Sequence, residues 1–357
     1  MPQTVAQSIA RPRRCPIATI RDVAERANVS TTTVSHVING TRRVSEDLRL
    51  RVHQAMQELG YRPNILARSL RVKRTHTIGL VIPDSANPFF AETARGMEDA
   101  SFELGFSTIL CNTDGDLEKE LTYTEVLSEK QVDGIVFVAA GMSTEHVRAL
   151  QARRIPLVVV DRDVPGVQAD MVLTDNERGG WLATRHLLDL NHRRIGCITG
   201  PSEVTPSAER CAGYRRALRE ADIPFDEQLA VRGDFRYESG YQATRWLLAL
   251  PDPPTAIFAN NDMMAIGAIR AAAEHGLHIP TQLSIVGFDD VELASYVVPP
   301  LSTVSQPKYQ MGATAAKLLV ERIHDYDAPT RRVLLRTELA VRDSTAPPHR
   351  EASAPTE

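Results

Sequence analysis

From His76 onward the chain alternates short apolar runs with longer amphipathic stretches, and this alternation limits the fold more than any other feature. Ile78 to Ile82, Thr108 to Cys111, Ile135 to Ala139, Leu157 to Val160, Ile195 to Thr199, Ala256 to Ala259 and Ile285 to Phe288 read as buried strands. Phe89 to Leu104, Arg178 to Leu190, Ser207 to Ala221, Ser239 to Leu250 and Met263 to His275 read as helices between them. Strand followed by helix, many times over, implies parallel sheet, because a parallel pairing needs a crossover long enough to hold a helix. This many repeats suggest two α/β lobes. A length of 357 residues with 43% hydrophobic content leaves room for one small and one or two larger domains.

In open parallel sheets ligands sit beyond the carboxyl ends of the strands. Those ends read P-D-S-A-N-P-F-F from Pro83, D-R-D from Asp161, N-N-D from Asn260 and F-D-D from Phe288. Carboxylates, amides and a guanidinium each grip sugar hydroxyls, and aromatic faces cover the C–H side of a sugar ring. Any single Asp or Asn here has the alternative of capping the next helix. Recurrence at successive strand ends favours a binding site.

Ahead of the alternation, Ile20, Val23, Ala24 and Ala27 fall on one helical face, with Thr19 and Asp22 forming a capping box. Asn28, tolerant of the left-handed conformation, supplies a turn. A second helix from Ser30 buries Val34, Val37 and Ile38 and turns Thr31, Thr32, Ser35, His36 and Asn39 outward. A third, capped by Ser45 with Glu46 and Asp47 in its first turn, carries a stripe of Leu48, Val52, Ala55, Met56 and Leu59 and stops at Gly60. Two short helices alone could equally be a solvated pair in a larger helical domain, and charge separates the readings. Residues 11 to 74 hold 14 Lys and Arg against 5 Asp and Glu, a net of +9, in a chain whose total is −4. Such asymmetry fits one end lying on a phosphate backbone.

Asn64 to Arg71 is helix-compatible but too short to be stable alone, and too apolar for a plain linker, so we expect a helix only where something supports it. Aromatic content of 5% argues against a stacking-based single-strand binder. Residues 1–17 lack the apolar core of a secretory signal, and no run approaches a membrane span, so a cytoplasmic protein with no membrane partner is expected. Cys15, Cys111, Cys197 and Cys211 show no C-x-x-C spacing and read as reduced thiols. His186 and His192, six residues apart, do not share a helical face, and no metal site or cofactor is expected. The sequence lacks G-x-S-x-G, H-E-x-x-H and G-x-x-x-x-G-K-[ST].

The stretches A-T-I-R-D-V-A-E-R-A-N-V-S-T-T-T-V-S-H-V-I-N-G and G-Y-R-P-N-I-L-A-R-S-L-R resemble the lac-repressor (LacI/GalR) family of bacterial transcription regulators, over about Ala18 to Arg342. The resemblance implies a small all-α helix-turn-helix headpiece followed by an α/β two-lobed core like the type I periplasmic binding proteins. Residues 1–17, ahead of the matching stretch, read as a disordered extension, and the resemblance implies a headpiece at 18–63 and a hinge at 64–74. The core would span 75–342, its N-lobe about 75–175 plus 307–337 and its C-lobe about 176–306 plus 338–342, ahead of a disordered tail at 343–357. It also implies a homodimer on palindromic double-stranded operator DNA. Thr31, Thr32 and His36 would face bases with Arg42 nearby, Ser30 and Asn39 would touch phosphates, and Leu70 would wedge into the minor groove beside Arg71.

Within the core, N-P-F-F at Asn87, D-R at Asp161, E-R at Glu209, D-F at Asp234, N-D at Asn261, F-D at Phe288 and Gln306 are similar to the ribose-repressor and ribose-binding-protein pattern. By that resemblance Asn87, Asp161, Arg162, Arg210, Asn261, Asp289 and Gln306 would bind sugar hydroxyls, and Phe89, Phe90 and Phe235 would sandwich the ring. Val138-Ala139-Ala140 stands where that pattern has a polar ligand, which leaves room for a different pentose or related polyol. The expected function is a repressor released from its operator when a ribose-like sugar closes the lobes and separates the paired hinges. Family members with a purine or hexose effector are the alternative. A glycosidase using Asp161 and Asp289 and an exported solute-binding protein are the rival classes, disfavoured by the missing catalytic motifs, the basic headpiece and the absent export signal.

Overall fold

The structure is a computed structural model, and residues 18–40, 42–61, 74–138, 144–164, 167–201 and 205–348 are described. The chain divides into two compact units, Met1–Thr75 and His76–Glu357.

The first unit contains α1 (Ile20–Arg26), α2 (Thr31–Asn39) and α3 (Glu46–Glu58). The Thr19–Asp22 capping box is formed in both directions. Asn28 takes φ 52°, which lets the chain reverse before Ser30 caps α2 by accepting from the Thr33 N–H at 3.0 Å. Val23, Ala24, Ala27, Val34, Val52 and Ala55 form the core, with Ile20, Val37, Ile38, Met56 and Leu59 packed against it. Ser45 stands at the N-cap of α3, but its side chain makes no capping hydrogen bond. The first turn is supported instead by the carboxylates of Glu46 and Asp47 at the positive helix end.

The second unit holds two six-stranded sheets. Its elements run β1 (Thr77–Ile82), α4 (Pro88–Glu103), β2 (Ser107–Asn112), α5 (Leu117–Glu129), β3 (Gly134–Val138), α6 (Thr144–Ala152), β4 (Leu157–Val160) and β5 (Asp170–Thr174). They continue α7 (Asn176–Asp189), β6 (Ile195–Thr199), α8 (Thr205–Glu220), β7 (Ala230–Arg232), α9 (Tyr237–Leu248), β8 (Ala256–Ala259) and α10 (Asp262–Glu274). The last are β9 (Ser284–Asp289), β10 (Ser302–Ser305), α11 (Lys308–His324), β11 (Arg332–Leu335) and β12 (Glu338–Ala340).

The N-lobe sheet has the order β11-β5-β4-β3-β1-β2 with every pairing parallel. The C-lobe sheet has the order β12-β10-β9-β8-β6-β7, parallel except for β12 against β10. The chain crosses between lobes three times, after β5, after β10 and after β11. Each sheet is covered on both faces, as parallel sheets require.

Strands β5, β7, β10, β11 and β12 and helices α5, α6 and α11 are absent from the sequence reading. Strands β7 and β12 have three residues each and β10 is S-T-V-S, so none of these presents an apolar run, and the V-L-L of β11 is short and half-exposed. Strand β5 opens with Asp170, a charge tolerated at full burial because Arg322 and Arg331 bind both its oxygens.

Residues 343–348 correct the expectation of a disordered tail from Asp343. The Ser344 hydroxyl is buried, donates to Ile285 O at 2.6 Å and accepts from Ser302 N at 2.8 Å. Ala346 O lies 2.8 Å from His192 Nε2, and Thr345 Oγ1 lies 2.9 Å from His186 Nε2. A polar segment is ordered here because its own hydroxyls and carbonyls satisfy groups at the amino ends of the C-lobe strands. The remainder of the tail, 349–357, and the extension at 1–17 lie outside the described residues.

Candidate functional site: a polar cleft and a reading helix

The carboxyl ends of the strands in both lobes line a cavity of about 410 Å³. Asn87, Phe89, Phe90, Asp161 and Arg162 line it from the N-lobe, and Arg210, Phe235, Asn261 and Asp289 from the C-lobe. Three of these residues hold positive φ: Asp161 at 69°, Phe235 at 68° and Asp289 at 112°. Non-glycine residues resist that region, and such strain gathers where surrounding structure holds a side chain for a purpose. Two glycines make the room. A Cβ on Gly200 would lie 2.1 Å from the Phe235 ring, and one on Gly180 would lie 2.1 Å from the Arg210 carbonyl.

The buried Arg210 is held on every side. Its Nε donates to Asn176 Oδ1 at 2.9 Å, its Nη1 donates to Asn260 O at 2.6 Å and lies 3.7 Å from Asp289 Oδ1, and its guanidinium stacks 3.8 Å from the Phe288 ring centre. This rigid fork presents donors at a fixed place without loss of side-chain entropy on binding.

Asp161 is buried, and its Oδ1 has no hydrogen-bond partner. Burial drives its pKa up to about 7; the Arg210 charge opposes this and Asp289 adds to it. Asp289 is likewise pushed up to about 6 by burial, against the pull of Arg210, the Gln306 hydrogen bond and Lys308. A buried acceptor left unpaired costs about 1–3 kcal/mol. A ligand hydroxyl or N–H donated to Asp161 recovers that cost.

Some expected ligands are otherwise engaged. Gln306 is buried but does not line the cavity; it donates to Asp289 Oδ1 at 2.7 Å and accepts from Thr174 Oγ1 at 2.6 Å. Asn261 caps α10 through Oδ1, accepting from Met264 N at 2.9 Å, and its Nδ2 donates to Phe235 O at 2.9 Å, so it holds the left-handed Phe235 loop. Asn87 caps α4 through Oδ1. Phe89 is largely core, packed edge-on to Phe90 at 5.1 Å between ring centres, while Phe90 and Phe235 stand on opposite lobes. Ala139 and Ala140 lie outside the described residues.

The cavity also takes in Asp84, Asp114, Asp234 and Arg236, which the sequence-derived set omits. Asp84 falls inside the P-D-S stretch read as a strand end, and Asp234 inside the D-F stretch that entered only through the resemblance. Asp114 lies two residues beyond the recognised strand β2 but was not among the end residues singled out, and Arg236 follows the unrecognised β7. The N-lobe Asp114 is held below the usual carboxylate range chiefly by Lys119, with a contribution from the C-lobe Arg236.

In the headpiece, Thr31 and Thr32 are exposed on the first turn of α2, and Arg42 is exposed beyond it. His36 is half-buried on the same helix. Ser30 Oγ is committed to its cap and to Thr33, and Asn39 Nδ2 turns back to Ser35 O at 2.7 Å. Asn39 thus spends a donor inside its own helix. Leu70 and Arg71 lie outside the described residues.

Among the described residues no helix is long and apolar enough to cross a membrane, and no group of three His, Cys, Asp or Glu is placed to hold a metal.

The family model for bacterial regulatory proteins of the lacI family matches residues 19–64, and that for the periplasmic binding protein-like domain matches 184–345. The HTH-type transcriptional repressor PurR of Aliivibrio salmonicida is 40% identical over 92% of this chain and 99% of its own length. The HTH-type transcriptional regulator DegA of Bacillus subtilis is 42% identical over 92% and 98%. Among solved structures, a lac repressor dimer bound to operator and an anti-inducer superposes with a TM-score of 0.84 at 30% identity, covering 92% of this chain and 99% of that one. A LacI family regulator from Enterococcus faecium with bound ribose gives 0.70 at 36%, covering 76% and 99%. A CelR–cellobiose complex gives 0.71 at 35%, covering 92% and 99%. With a helix-turn-helix headpiece, two parallel sheets enclosing a polar cleft and relatives matched over nearly their whole length, the chain belongs to the LacI family of DNA-binding transcriptional repressors and is not an enzyme.

Proposed function

We propose that this repressor binds a small sugar, ribose or a related pentose, and that binding lowers its affinity for operator DNA. The observation that carries the reading is the unpaired, buried Oδ1 of Asp161 in a cavity that also contains the fixed Arg210 fork and facing Phe90 and Phe235. Donors, acceptors and aromatic faces converge there as a polyol requires. The ribose-bound relative supports it. The protein acts as a homodimer in the cytoplasm. Phe102, Leu104, Leu110, Leu117 and Leu121 leave an apolar surface along α4, the edge strand β2 and α5, of the kind that marks an interface.

A second reading is a hexose-containing or purine effector. It is favoured by the additional polar groups at Asp84, Asp114, Asp234 and Arg236, and the cellobiose-bound relative supports the hexose form.

The test is calorimetric titration of the full chain with D-ribose, D-xylose, D-glucose, cellobiose, adenine and hypoxanthine, followed by operator gel shifts with whichever binds. Saturable ribose binding that releases DNA is the expected result. Binding of a purine alone, or stronger DNA binding with ribose, overturns it.

A further inference from the structure

Cys197 and Cys211 stand fourteen positions apart in the sequence, yet the fold brings them together. Helix α8 returns antiparallel along β6. The Tyr214 hydroxyl donates to Ile195 O at 2.8 Å, and one turn earlier on the helix, two residues further along the same strand face, the Cys211 thiol stands beside that of Cys197. Their environments differ. Cys197 is fully buried in the core around Tyr214 and Phe258, whereas Cys211 is half-buried. The hydrogen bond with Cys197, followed by the Arg215 charge one turn on, lowers the Cys211 thiol, while that same hydrogen bond and burial raise Cys197. A half-buried thiol that ionises more readily than usual, next to a fully buried partner thiol, is the arrangement that oxidants select.

The pair adjoins the effector cleft. Cys211 follows Arg210 directly, and Cys197 Sγ lies 3.9 Å from Asn260 Oδ1. Asn260 in turn accepts from Arg210 Nη1 through its carbonyl and reaches Ser207 on α8 through Nδ2.

We propose that Cys197 and Cys211 are a peroxide-oxidisable dithiol site whose oxidation displaces the Arg210 corner of the cleft. The Cys211 thiolate attacks one peroxide oxygen and the O–O bond breaks; with hydrogen peroxide the hydroxide leaves, takes up a proton to become water, and Cys211 becomes a sulfenic acid. The Cys197 sulfur then attacks Cys211 Sγ, the S–OH bond breaks, the hydroxyl departs with the Cys197 proton as a second water, and the S–S bond forms. Two thiols are oxidised and one peroxide is reduced. A disulfide requires a sulfur separation of about 2.05 Å, so α8 is drawn onto β6 beside Arg210.

The test treats the fully reduced, full-length protein with one equivalent of hydrogen peroxide, blocks remaining thiols and digests with trypsin without reductant. Cleavage after Arg194, Arg210 and Arg215 places the two cysteines on separate peptides. The expected product is a dithiothreitol-reversible cross-link between them, ahead of any involving Cys15 or Cys111. Sulfinic acid at Cys211 with Cys197 still reduced, or a preferred cross-link to another cysteine, overturns the proposal. In Cys211→Ser, Cys197 is expected to stay reduced, and its oxidation at the original rate overturns the order of events. Hydrogen exchange over 205–220 and 256–262 should change several-fold on oxidation; identical exchange in both states overturns the coupling to Arg210. None of these readouts depends on which effector fills the cleft.

Discussion

Gln306 Nε2 donates to Asp289 Oδ1 at 2.7 Å, although the two residues belong to a crossover between lobes and to the end of a C-lobe strand. The same amide accepts from Thr174 at a second crossover, and Lys308 Nζ, just beyond Gln306, donates to the carbonyls of Asp289 and Asp290 at 2.8 Å each. A carboxylate facing the cleft is therefore wired to two of the three strands of chain that join the lobes. Whatever binds Asp289 acts directly on these crossovers between the lobes.

Replacing Gln306 with Leu should accordingly weaken D-ribose binding although Gln306 does not line the cavity. Loss of a hydrogen bond to a charged group costs roughly 1.5–3 kcal/mol, a tenfold or greater loss by calorimetry. Unchanged affinity would show that Asp289 is positioned without it.

Effector affinity should rise between pH 5.5 and 8 and level off above the Asp161 value of about 7, because a ligand hydroxyl donates to the carboxylate form. For the ligand-free protein the sign is opposite. With the folded pKa raised above the unfolded one, the unfolded chain loses its proton first, so this group's contribution to stability falls as pH rises from about 4 to about 7. Asp161→Asn should flatten both profiles, measured by titration and by urea unfolding. A pH-independent affinity in the parent protein would remove Asp161 from the contact.

Burial alone would raise the pKa of Asp170, but hydrogen bonds from Arg322 and Arg331 hold it below its ordinary value. Arg322→Ala leaves a buried carboxylate with half its partners, a change that costs about 3–5 kcal/mol. Urea unfolding should show that loss at pH 7 and a progressively smaller one as the pH falls below the ordinary carboxylate range, where the unfolded chain takes up the proton first and the folded one only at lower pH.

Phe102 is 77% exposed and Leu110 50% exposed, one at the end of α4 and the other on the edge strand β2. The double substitution Phe102→Glu, Leu110→Lys should give a folded monomer in analytical ultracentrifugation with operator affinity reduced at least a hundredfold. A dimer that survives both changes would place the interface elsewhere.

Asn28 holds φ 52° between α1 and α2. Asn28→Val forces a β-branched residue into the left-handed region at about 1–2 kcal/mol and should lower headpiece stability and operator affinity together, while Asn28→Gly keeps both. Equal behaviour of the two variants in a gel shift would disconnect the turn from DNA binding.

Local chemistry was legible from residue types. Thr19, Asp22 and Asn28 act within three or four positions of themselves, and their cap and turn follow from sequence spacing. The apolar runs β1, β4, β6 and β8 are buried on both faces, so they stand out without knowledge of their neighbours. Strands β7, β11 and β12 do not, because they are half-exposed edge strands whose stability lies in pairing to a sheet already formed, and β10, although interior and buried, is too polar to show as an apolar run. The site divides similarly. Residue types at strand ends pointed to a cleft, and the structure draws nine of the ten named residues around one cavity. Which of them still has a free polar atom was not legible: Asn261 and Gln306 have the right chemistry for a ligand, but that chemistry is turned onto Phe235 and Asp289.

By itself, then, the sequence determined the headpiece helices, the alternation of buried strands with helices that makes an α/β core, the charge division between headpiece and core, and the family, since these depend on periodicity and composition along the chain. Only the tertiary structure decided that Asp161 keeps an unpaired oxygen, that Gln306 ties Asp289 to the crossovers between the lobes, that the Ser344 segment is packed and that Cys197 stands beside Cys211. Each of these depends on distance and burial between residues far apart in sequence, which no local pattern records.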